Sequence, residues 1–114
     1  MKYVLAIIRP HKFEAVREAL DAVGVEDIIV VEIKRYGHDS DHKEFYRGHE
    51  FEVKFLPKIK IEFAVSDDLA DEATRVLREA AFTGETGDGR VFVLDVFHSI
   101  QIKTGKIDAT VDAL

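Results

Sequence analysis

Three glycines, two threonines and an arginine fall within eight residues, Thr83-Gly84-Glu85-Thr86-Gly87-Asp88-Gly89-Arg90. Glycines at 84, 87 and 89 let backbone amides turn inward and approach a phosphate with no Cβ in the way. Arg90 adds a planar guanidinium suited to phosphate oxygens, and Thr83 and Thr86 add hydroxyl donors. The segment lacks the G-x-x-x-x-G-K-[ST] of a Walker loop, and its helix–loop–strand order is not that of a Rossmann turn. On its own a glycine-rich turn is more often plain structure, so its context must decide. A second group, His38-Asp39-Ser40-Asp41-His42 with His49 nearby, offers imidazoles and carboxylates that zinc, nickel or copper accept. The competing reading of that group is a solvated polar loop.

The elements around these groups follow from period. Residues 3–8 are a short apolar, β-branched run ended by Arg9-Pro10, which predicts a buried strand. Phe13, Val16, Ala19, Leu20 and Val23 recur at helical spacing, and Gly24 stands where a C-terminal cap falls, predicting a helix over 13–23. Residues 28–33 read as a second strand. From 37 to 55 no period is sustained, so a long loop of the functional kind is expected. Alternation over 58–65 predicts a third strand with one buried face. Ser66, Asp67 and Asp68 supply N-cap chemistry for a helix to about 81 that buries Leu69, Ala73, Val76, Leu77 and Ala80. Residues 91–97 read as the last core strand, with a loop and tail over 100–114.

The order β-α-β-β-α-β predicts an α+β, ferredoxin-like fold in a single domain spanning 1–114. Right-handed crossovers put both helices on one face of the sheet. The other face is left uncovered although the first strand is apolar on both sides, which implies an oligomer.

Composition narrows the function. At 114 residues, 46% hydrophobic and 33% charged, the chain has globular values. A formal net charge of -6 without a local Lys/Arg run argues against nucleic acid. No apolar run approaches the roughly 20 residues needed to span a bilayer, no signal-like leader opens the chain, and there is no cysteine. A cytoplasmic protein without direct membrane insertion is expected. No serine sits in a nucleophile elbow and no carboxylate pair stands in a cleft motif, so a non-enzyme is expected. His11 and His98 read as structural. Glu14, Arg17 and Glu18, and Asp67, Asp68, Asp71 and Glu72, read as solvated helix faces.

Taken together, T-x-x-x-G-D-G-R-V-F-V at 83–93, Tyr46-Arg47-Gly48-His49-Glu50-Phe51, Phe55-Leu56-Pro57-Lys58-Ile59-Lys60-Ile61-Glu62 and the opening Ala6-Ile7-Ile8-Arg9-Pro10-His11-Lys12 resemble the PII nitrogen-regulatory signalling proteins. The resemblance runs over about residues 1–105. It implies a homotrimer with ATP or ADP in clefts between subunits. It also implies 2-oxoglutarate binding with Mg-ATP, and a long loop, 37–55, that docks on an ammonium channel, a metabolic enzyme or another transporter. Carried over by position, Gly87, Asp88, Gly89 and Arg90 would hold phosphates and ribose, and Gly37 and His38, at the base of the long loop, would also bind the nucleotide. Ile7, Ile29, Glu62 and Ala64 would lie about the adenine, and Lys58 near phosphate and oxoglutarate. Gln101 and Lys103 would reach a neighbour's phosphates.

Departures from the family pattern cluster at functional positions. The nucleotidylated tyrosine of the family is Phe51 here, which has no hydroxyl to modify. Tyr46 reads as a packing or partner contact. Asp39 replaces the glutamine of the Mg-oxoglutarate site, so it can still ligate Mg2+ but sets a carboxylate beside a dianion. With His38, Gln101 and Glu85 in place of basic residues, these changes weigh against oxoglutarate sensing. They favour weaker triphosphate binding, or ADP or AMP. The alternatives are a metal-responsive trimer using His38, Asp39, His42 and His49, and a slow ATPase.

Overall fold

Alternation in the sequence becomes a two-sided sheet. The computed structural model describes residues 1–37, 43–46, 49–52, 55–108 and 114, with backbone alone for 43–46 and 49–52. Strand β1 (Lys2–Ile8) leads through a 3-10 turn (Pro10–Lys12) into helix α1 (Phe13–Ala22). Then follow β2 (Ile29–Tyr36), β3 (Lys43–Tyr46), β4 (His49–Glu52), β5 (Phe55–Val65), helix α2 (Asp67–Ala81) and β6 (Gly89–Asp95). The main sheet has the order β2-β5-β1-β6 with every pair antiparallel, the arrangement expected of a ferredoxin-like fold. No helix among the described residues is long and apolar enough to cross a membrane.

Both helices cover the same face. Val4, Ala6 and Ile8 of β1 and Ile59, Ile61, Phe63 and Val65 of β5 are buried with Val16 and Leu20 of α1 and Ala70, Ala73, Leu77 and Ala81 of α2. In α2 the innermost positions thus include Ala70 and Ala81, while Leu69, Val76 and Ala80 pack at the core's margin. The opposite face carries Tyr3, Leu5 and Ile7 of β1, with Ile29 and Val31 of β2 and Phe92 and Leu94 of β6 exposed beside them.

Helix α1 ends as its sequence directs. Gly24 takes φ +96°, its amide donates to the carbonyl of Asp21 (3.0 Å), and that of Val25 donates to Leu20 (2.9 Å). These two bonds are the Schellman closure that glycine permits. Ser66 precedes α2 in an extended conformation, but its side chain makes no capping hydrogen bond. The amides of Leu69 and Ala70 go instead to the Ser66 carbonyl (both 3.1 Å), and the Asp67 carboxylate takes the amino terminus of Met1 (2.7 Å). That charge partner holds Asp67 below the usual carboxylate range.

Three expectations shift. The stretch 37–55 is not a plain loop: β3 and β4 pair as a hairpin, from Lys43 opposite Glu52 to Tyr46 opposite His49. The third strand of the main sheet starts at Phe55, so Pro57 lies inside β5 but past Ile59, the last residue paired with β1. A missing amide there interrupts no bond to β1. The last strand runs Gly89–Asp95 rather than 91–97, so the glycine loop feeds its final residues into the sheet.

Candidate functional site

The 83–90 loop is held by its own aspartate. The Asp88 carboxylate accepts the amides of Thr83 (2.8 Å) and Gly84 (2.9 Å) and the Thr83 hydroxyl. Arg9, at the end of β1, donates its Nε to Asp88 (3.0 Å) and its Nη2 to the Thr86 carbonyl (2.8 Å). Hydrogen bonds from Thr83, then those from Arg9 and Gly84, hold the Asp88 carboxyl far below the usual range. Asp88 is therefore an internal knot of the loop.

Gly89 must be glycine for a steric reason. It pairs with Ile8 at φ +106°, and a Cβ there would lie 1.8 Å from the carbonyl oxygen of Ile7. This close approach sets the loop against the end of β1 and aims Arg90 alongside Ile7. Lys58, on the same edge of β5, is buried and donates its Nζ to the Gly87 carbonyl (2.6 Å).

These groups enclose a cavity of ≈ 430 Å³ lined by Ile7, Ile33, Arg35, Lys58, Thr86 and Arg90, with Gly87 and Gly89 at its wall. Three cationic side chains, Arg35, Lys58 and Arg90, line this one cavity in a chain of formal charge -6. The cavity is also lined by glycine backbone and by one apolar flank, and it suits an anion attached to an apolar or aromatic body. A larger cavity, ≈ 750 Å³, lies between α2 and β6, lined by Leu77 and Arg78 of α2, Val91 and Val93 of β6, and Phe82 and Asp88 on the loop side, with Arg78 4.9 Å from the Phe82 ring centre.

Ile7, Lys58, Gly87, Gly89 and Arg90 are thus brought together. Ile29, Glu62 and Ala64 lie further along the same uncovered face, Ile29 opposite Glu62 and Ala64 opposite Tyr3. Glu62 accepts the Tyr3 hydroxyl and Lys60 Nζ (3.1 Å), contacts that lower its pKa, the tyrosine being the larger cause. The same bond pushes Tyr3 up to about 12. Gly37 follows the last residue of β2, beside the Arg35 guanidinium.

Gln101 and Lys103 stand apart from the cavity. Strand β6 carries the chain from Ile8 to Lys2 at the other end of β1 before reaching them. There Ile100 pairs with Ile107 and the Gln101 amide donates to Lys106 (2.8 Å), forming a short arm. His98 contacts Asp108 at 3.0 Å, and backbone and imidazole together hold Asp108 below the usual range. His38, Asp39 and His42 lie outside the described residues, and of His49, Tyr46 and Phe51 only the backbone pairing in β3 and β4 is described. Sequence reasoning missed Arg9 as the loop's fastener and Ile33 and Arg35 as cavity walls. An arginine before a strand-ending proline was the available signal for Arg9, and Ile33 and Arg35, two apart, share one face of a strand.

The nitrogen regulatory protein P-II family model matches residues 1–106, from β1 through the phosphate-loop candidate and most of the arm. The chain belongs to that family. The P-II protein of Rhizobium etli is 48% identical over 109 residues, 96% of this chain and 97% of that one. The nitrogen regulatory protein GlnK of Escherichia coli K12 is 46% identical over 108 residues, 95% of this chain and 96% of its own. A P-II protein of Bradyrhizobium diazoefficiens is 47% identical over 106 residues, covering 93% and 95%. Coverage of this extent means that this chain and these relatives match over nearly their whole lengths. The chain is a member of a nitrogen-regulatory signalling family.

Proposed function

We propose that this P-II chain binds an adenine nucleotide, ATP or ADP with AMP as a further candidate, in clefts between the subunits of a homotrimer. Phosphates would rest against Gly87, Gly89, Arg90 and Lys58. The base would lie by Ile7, Ile29, Glu62 and Ala64, and Gln101 and Lys103 would come from the neighbouring subunit. The observation that carries this reading is the convergence of Lys58, Arg35 and Arg90 with the glycine backbone at the rim of an uncovered apolar face. Both halves of a nucleotide, anion and flat apolar ring, find their match there.

In this reading the chain is a regulator in the cytoplasm, acting on a target protein through residues 37–55. Binding, rather than turnover, is its output. Phe51 removes the hydroxyl needed for nucleotidylation at that position. Asp39 is the carboxylate this reading offers to Mg2+ beside ATP, and its charge opposes 2-oxoglutarate. Isothermal titration with ATP, ADP and AMP tests the proposal. Micromolar or tighter binding of at least one, weakened at least tenfold in Arg90→Ala, is the expected result. Absence of heat with all three sinks it.

A further inference from the structure

Arg9 does not line the cavity, yet its guanidinium makes two hydrogen bonds to the glycine loop. Its side chain is 12% exposed and that of Asp88 24%, so the pair is partly shielded from water. Surface ion pairs contribute little, but a guanidinium bonded to two different acceptors fixes geometry. One nitrogen holds Asp88 and another holds the Thr86 carbonyl, while Asp88 gathers the amides of Thr83 and Gly84. Both ends of the loop are thereby tied to the end of β1. Lys58 adds a third tie at Gly87.

We infer that Arg9 and Asp88 form a clasp that holds residues 83–88 in their anion-receiving shape, making both positioning residues for the phosphate of the bound nucleotide. The inference rests on the nucleotide reading above and assigns these two side chains a role inside the loop instead of at the ligand. It has a consequence of unusual sign. Were Asp88 only a negative charge near a polyphosphate, removing it would strengthen binding. As the knot of the loop, its removal weakens binding although the site becomes more positive. Lysine at position 9 keeps the charge but cannot reproduce the two-acceptor fork.

The test is titration of full-length protein with ADP and ATP for wild type, Asp88→Asn, Arg9→Lys and the double variant. Thermal melts are recorded in parallel. Each single variant is expected to lose roughly tenfold in affinity, the scale of one charge-assisted bond, and the double variant little more, because the two residues act as a unit. The salt dependence of binding is expected to stay as in wild type for Arg9→Lys, since no charge is lost. Hydrogen exchange supplies a readout independent of ligand: the Thr83 and Gly84 amides are expected to lose protection in Asp88→Asn while those of Phe92 and Leu94 of β6, which face β1 in the ladder, keep theirs. Undiminished or tighter binding by Asp88→Asn, or wild-type affinity in Arg9→Lys, overturns the clasp while leaving the nucleotide reading standing. No binding by wild type overturns both. If a variant melts below the titration temperature, retained protection at Thr83 and Gly84 at a lower temperature counts against the clasp, and lost protection there with β6 intact supports it.

Discussion

At the scale of single residues, two positions carry more than their side chains suggest. Gly89 is a strand residue whose missing Cβ makes room for the Ile7 carbonyl. Alanine there faces backbone, which cannot rotate aside, and adopts φ +106° as well. Gly89→Ala is expected to cost about 3 kcal/mol or more, the range of strain combined with a steric clash, and guanidinium melts would measure it. A variant within about 0.5 kcal/mol of wild type would show that β6 can pull back from β1 without loss. Tyr3 gives a pH signature instead. Its hydroxyl donates to Glu62, and its pKa is raised to about 12 from an ordinary value near 10. A group whose folded-state pKa is raised adds stability while protonated, so this contribution is complete below pH ~10 and is lost as pH climbs towards 12. Wild type is therefore expected to lose stability relative to Tyr3→Phe across that window. Parallel melting curves against pH for the two proteins would contradict the bond.

At the scale of elements, the stop of α1 is the cleanest case of sequence dictating backbone. Gly24 has no atom within 4 Å of an added Cβ, so Gly24→Ala isolates the conformational cost of φ +96° from packing. About 1 kcal/mol of destabilisation is expected, read as a lower denaturant midpoint with an unchanged slope. A changed slope would mean that α1 had altered the denatured ensemble or broken two-state unfolding. Helices and central strands were legible because burial imprints its period on them: β1 and α1 match the pattern to within two residues. The β3–β4 hairpin was not, because Lys43-Glu44-Phe45-Tyr46 and His49-Glu50-Phe51-Glu52 carry too few apolar residues for alternation to register. Their pairing is a matter of backbone bonds, which leave little trace in composition. The glycine loop could be read as an anion receiver from its residue types, but the Arg9–Asp88 bond joins positions 79 apart. Only the topology, which sets β6 beside β1, brings them together.

At the scale of the molecule, the uncovered face ties assembly to the site. Phe92 and Leu94 are 48% and 49% exposed, and on the arm Phe97 and Ile102 are 90% and 99% exposed. A soluble chain seldom leaves so much connected apolar surface in water. If the face is the contact between copies, one carboxylate placed on it must be buried without a partner, at a cost of several kcal/mol per subunit contact. The same carboxylate would cost little in an isolated chain, because position 94 is already half exposed. Leu94→Asp is therefore expected to keep the circular dichroism of wild type but to run as a single chain by light scattering, where wild type is expected to run as the proposed trimer. Nucleotide affinity is expected to fall with it, since Gln101 and Lys103 lie at the far end of β6 and can serve a phosphate only from a second copy. The two readouts separate the hypotheses. A Leu94→Asp trimer would show that another surface joins the subunits. A monomer that binds nucleotide as tightly as wild type would show that the cavity between Ile7, Lys58 and Arg90 is complete within one chain.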